Sequence, residues 1–171
     1  MDQTETAGGE EAPLTALPCT IQDAVYTIAG EKAWEISFTQ PKIRPSAASD
    51  LLLMVTGSAF VRDFSFEASQ GFGGTYLQVT VDDAELGQSM PAEDQPDDPI
   101  AFHGFAQNQA GGLVRLPDAP QSGDMAPVAI YIPDVSKYFW YDEKYTDIET
   151  GETLDEPVAL PQGLFMGSCL K

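Results

Sequence analysis

Beyond Cys19 the chain alternates apolar and polar residues with a period of two along most of its length, the pattern of strands that bury one face. In residues 33–39, Trp34, Ile36 and Phe38 alternate with Glu35, Ser37 and Thr39. Phe60, Phe64 and Phe66 share a face that Arg62 interrupts, while Asp63, Ser65 and Glu67 point the other way. Leu77, Val79 and Val81 repeat the pattern against Tyr76, Gln78 and Thr80. Ile100 and Phe102 open another run, and Val128, Ile130 and Ile132 form one more. Residues 51–55 are apolar at every position, which predicts a strand covered on both faces. A short helix over 46–54 is the alternative, because so short an apolar run has no period of its own.

Turn-forming residues fall between these runs. Gly30-Glu31, Thr56-Gly57-Ser58 and the cluster Gly71, Gly73 and Gly74 separate successive strands, and 108–112 and Thr150-Gly151 read as hairpin turns. Pro133-Asp134 ahead of Val135-Ser136-Lys137 predicts a single helical turn capped by Asp134. About ten short strands with polar turns predict an all-β domain, a two-sheet antiparallel sandwich or jelly roll with little helix.

The two cysteines change this picture most. Cys19 and Cys169 stand near the two ends of that pattern, with no other cysteine to pair with and a spacing useless for a redox or zinc motif. They are expected to form a disulfide that staples the start of a single domain, 19–171, to its end, and a disulfide implies an oxidising compartment. Residues 1–18 are acidic, contain glycine and are interrupted by Pro13 and Pro18, so they are expected to be a flexible leader. Their composition fits a tether, and a lipidated cysteine ahead of Asp2 would make the protein a bacterial lipoprotein. No apolar run is long enough to predict a membrane-spanning helix.

The net charge is −19, and −17 of it falls in residues 1–15, 82–98 and 142–156. The strand-forming remainder is nearly neutral. Acid confined to a tail and two connections reads as solvated surface, and it disfavours nucleic acid, which needs basic side chains to displace its counterions. Asp82, Asp83, Glu85, Asp94, Asp97 and Asp98 are weak candidates for calcium, since a hard cation wants six to eight oxygens, but their order follows no EF-hand.

Candidate chemistry is sparse. His103 is the only histidine and has no acid or nucleophile at a spacing that would build a catalytic set, so no catalytic residue is assigned and no cofactor is expected. The densest aromatic run is 138–141 with Tyr145. Read as a strand it places Tyr138 and Trp140 on one side and Tyr141 on the other, and Tyr138, Trp140 and Tyr141 are the candidate ligand-binding residues, able to stack on a sugar or anchor a protein. The only asparagine, Asn108, lies in no glycosylation sequon, which favours a bacterial source. The resulting expectation is a non-catalytic exported binding module, periplasmic, extracellular or envelope-attached, with an unidentified protein or glycan partner. A carbohydrate-binding or carbohydrate-cleaving jelly roll and a structural subunit of a surface or virion assembly are the alternatives.

Overall fold

The computed structural model describes residues 13–28, 31–57, 61–68, 74–80, 99–141, 145–146, 153–154 and 163–170. Its strands are β1 (Ala24–Ile28), β2 (Glu31–Thr39), β3 (Leu52–Thr56), β4 (Val61–Ala68), β5 (Thr75–Val79), β6 (Ile100–Gln107), β7 (Leu113–Arg115), β8 (Ala129–Tyr131), β9 (Tyr145–Thr146), β10 (Thr153–Leu154) and β11 (Leu164–Cys169). Eight of them pair in the order β5-β4-β3-β2-β1-β11-β8-β6, and β6 then pairs back with β5. The sheet is therefore a closed, wholly antiparallel barrel, and the expected two-sheet sandwich or jelly roll is corrected. The closing contact, Thr75 opposite Phe102 and Leu77 opposite Ile100, joins strands separated by a long connection. Alternation requires only that one face of each strand be buried, and a barrel and a sandwich satisfy it equally.

Register carries one set of side chains inward around the whole circuit. Tyr26 faces Ile36, Ile36 faces Val55, Leu53 faces Phe64, Phe64 faces Val79, Leu77 faces Ile100 and Ile130 faces Phe165. All of these are buried and belong to one core. The apolar run 51–55 forms β3 and not a helix, and Leu51, Leu52 and Leu53 are all fully buried, as a strand covered on both faces requires. Arg62 also faces inward, opposite Val55, and its guanidinium donates to the Thr80 carbonyl at 3.1 Å. The outer face of β4 is covered as well, since Ser65 is fully buried and Asp63 nearly so.

The aromatic run 138–141 is not a strand. Val135–Tyr141 forms a helix, α1, whose Tyr138 amide donates to the Asp134 carbonyl at 3.0 Å. Among the α1 positions whose side chains are described, Val135, Tyr138 and Phe139, at i, i+3 and i+4, are buried, so Tyr138 and Phe139, read as opposite strand faces, share one helical stripe. The Phe139 ring meets Trp34 and Phe64 at 6.1 and 6.2 Å, and Tyr138 meets Phe64 edge-on at 5.6 Å. These contacts, at the start of β2 and beyond the end of β8, plug one end of the barrel with α1.

The opposite end carries the disulfide. Cys19 and Cys169 are bonded with their Cα atoms 6.0 Å apart, as their placement predicts. The described end of the expected leader is tied down here. Thr15 exchanges both backbone hydrogen bonds with Gln107 at 2.7 and 2.9 Å, and the Leu17 amide donates to Ala126 at 2.8 Å. Residues 13–20 thus run as a strap beside β6, leading into a single 3-10 turn, Ile21–Asp23, whose Ile21 is fully buried.

Candidate functional site

At the disulfide end the barrel's inner face tapers. Along β6 the inward positions are Ile100, Phe102, Gly104 and Ala106, two large side chains followed by two that supply almost no bulk. The space left above Phe102 is a cavity of about 330 Å³. Its floor is Ile21, Phe102, Gly104 and Ala106; the strap contributes Leu14 and Ala16, and the rest of the wall comes from segments 116–120 and 124–127. An eight-stranded barrel is just wide enough to be filled by its own side chains or to hold one small ligand, and the small residues on β6 favour the second at this end.

Three features hold the walls in place. The connection from β7 to β8 is pinned to the segment before β3: the Ser49 hydroxyl donates to the Pro120 carbonyl, Gln121 Nε2 donates to the Ala48 carbonyl at 2.5 Å, and the Asp50 carboxylate accepts from the Ser122 amide at 2.8 Å and from its hydroxyl. Desolvation acts to raise the Asp50 pKa, but the Ser122 hydrogen bonds and nearby Arg44 outweigh it, so the carboxyl lies below its ordinary range. The strap is fixed by the Thr15 and Leu17 bonds and by the Ala126 amide donating to the Cys19 carbonyl at 2.9 Å, beside the disulfide. Tyr26, inside the barrel, donates its hydroxyl to the Pro127 carbonyl at 2.8 Å, and burial drives the Tyr26 phenol far above its usual range.

Most side chains lining the cavity are apolar. Among the described residues the only charged ones lining it are Asp118 and Asp124, both exposed. One Asp124 oxygen accepts from the Gln121 amide at 2.9 Å, closing the turn in which Gly123 adopts φ 84°.

The residues singled out from the sequence lie elsewhere. Tyr138 is in α1 at the opposite end, 5% exposed and packed in the core. Trp140 and Tyr141 are in the same helix, and their side chains fall outside the described residues, as do Asp82, Asp83, Glu85, Asp94, Asp97 and Asp98 entirely. Among the described residues no group of three or more His, Cys, Asp or Glu is placed to hold a metal ion. His103 is on the outer face, stacked on Tyr131 with centroids 6.3 Å apart, and burial and then Arg115 hold its pKa below the ordinary value. The sequence did carry one signal for the cavity, the shrinking inward face of β6, but its other walls come from segments that only the fold assembles.

No protein-family profile matches the chain, and neither a curated protein nor a solved structure matches it significantly.

Proposed function

We propose that this protein is a non-catalytic, exported binding module and that its ligand site is the cavity at the disulfide end of the barrel. The observation that carries this reading is the apolar cavity of about 330 Å³, a size typical of sites for small molecules, walled by pinned segments. The pocket opens to solvent where Leu14, Asp118, Asp124 and Met125 are exposed, and its inner wall of Ile21, Phe102, Gly104 and Ala106 is buried, an apolar recess with a few polar groups at its rim as small-molecule sites have. Gly104 and Ala106 leave it open at the two positions of β6 where larger side chains would close it. The disulfide supports export, because such bonds persist in oxidising compartments. Among the described residues no helix is long and apolar enough to cross a membrane.

Titration with an uncharged environment-sensitive fluorophore, N-phenyl-1-naphthylamine, tests this. One saturable site per chain is expected, lost in Ala106→Phe, whose ring occupies the cavity, and in Leu116→Trp, which narrows it from the opposite wall. Unchanged binding in both folded variants would place any ligand site elsewhere.

A further inference from the structure

We infer that the ligand of this cavity is a cation with an apolar body, an alkyl- or arylammonium compound rather than a fatty acid or another anionic amphiphile. The inference rests on the cavity being the ligand site and adds the sign of the ligand's charge. The floor, made of Ile21, Phe102, Gly104 and Ala106, carries no polar side chain and suits apolar surface. Among the described residues every charge on the lining is negative, and both charges belong to Asp118 and Asp124 at the exposed mouth. A ligand that buries its apolar part against Phe102 therefore leaves its polar end among carboxylates. An anionic end would meet like charge beside a low-dielectric wall, and an ammonium would meet opposite charge. Among the described residues no lysine or arginine lines the cavity to reverse that balance. The chain's net charge of −19 adds a field of the same sign, which concentrates cations near the mouth.

Asp124 is held by its own turn and needs no rearrangement to receive the cation, since Gln121 occupies one carboxylate oxygen. Exposed charge pairs are individually weak, so the apolar body supplies most of the affinity and the carboxylates supply selectivity, of about tenfold for two such pairs.

The experiment compares octylammonium, octan-1-ol and octanoate, which share one alkyl chain length and are cationic, neutral and anionic in turn, by displacement of N-phenyl-1-naphthylamine from the whole protein. Octylammonium is expected to displace at about one-tenth the concentration of octan-1-ol, with octanoate weakest. The double variant Asp118→Asn with Asp124→Asn keeps an acceptor for the Gln121 amide, and it should bring octylammonium to the level of octan-1-ol while leaving octan-1-ol unchanged. Neutralising two exposed acids away from the mouth, Glu35→Gln with Glu67→Gln, should leave the preference intact. Equal displacement by octylammonium and octan-1-ol overturns the inference, and so does a preference that survives in the Asp118/Asp124 variant or vanishes in the Glu35/Glu67 variant. If the fluorophore itself does not bind, the cavity reading fails and the inference falls with it.

Discussion

Asp63 is the residue most at odds with its surroundings. It lies on the outer face of β4, is 8% exposed, and its Oδ1 is buried without a hydrogen-bond partner. Burial raises its pKa, and the adjacent Arg62 charge lowers it by less. A carboxyl whose folded pKa exceeds its unfolded one stabilises the fold only while it is protonated, below the unfolded value, and that contribution is lost as pH rises through the folded value. Asp63→Asn should therefore raise the melting temperature at neutral pH, with the gain shrinking toward zero as the pH is lowered past the ordinary carboxyl range. A variant less stable than the wild type at pH 7 would mean that the Arg62 interaction outweighs desolvation. Gly167 is constrained by space instead. A Cβ there would fall 2.7 Å from Tyr26 Cε1 and 2.8 Å from Leu17 Cδ1, at the point where β11 crosses the ring that bonds Pro127. Tyr26 is fully buried and cannot move aside, so Gly167→Ala should destabilise by about 1–3 kcal/mol in chemical denaturation.

At the level of elements, periodicity reported strands well and partners poorly. β2, β4, β5 and β6 appear where alternation places them, and the turn after β6 forms as expected, with the Asn108 side chain accepting from the Gly112 amide at 2.7 Å and Gly111 at φ 84°. The first turn of α1 forms where the sequence predicts a helical turn, at Val135-Ser136-Lys137, but its continuation through 138–141 was hidden because that aromatic run has no polar residues to mark its period. Only the spacing of Val135, Tyr138 and Phe139 betrays it. Closure of the barrel was hidden for a different reason: it depends on β5 finding β6, a long-range pairing that leaves no mark on either strand's pattern. The cavity was half legible, in Gly104 and Ala106, and half not, because the strap and the 116–127 connection reach it through tertiary hydrogen bonds. If α1 is the plug of the far end, Phe139→Ala should cost about 3–5 kcal/mol of stability while leaving fluorophore affinity at the cavity nearly unchanged in the folded protein. Loss of binding without loss of stability would show that the helix end, and not the mouth, holds the ligand.

Across the whole molecule the two ends of the barrel have different construction. One is sealed by aromatic packing, and the other is bordered by the strap, the disulfide and a proline-containing connection around an open cavity. The disulfide closes a loop of 150 residues, for which chain-entropy reasoning gives roughly 4–5 kcal/mol, and it sits where the strap meets β11. Replacing Cys19 and Cys169 together by serine should lower the unfolding free energy by about 2–5 kcal/mol, and it should weaken fluorophore binding because the strap loses its anchor. Binding that is fully retained at the same probe concentration would show that the strap's hydrogen bonds suffice. The most direct test of the cavity as the ligand site is amide chemical-shift mapping of isotope-labelled protein titrated with octan-1-ol. The largest perturbations are predicted at Ala16, Gly104, Ala106, Leu116 and Asp124; perturbations centred instead on the exposed outer face at Tyr131, Leu164 and Met166, or on α1, would contradict it.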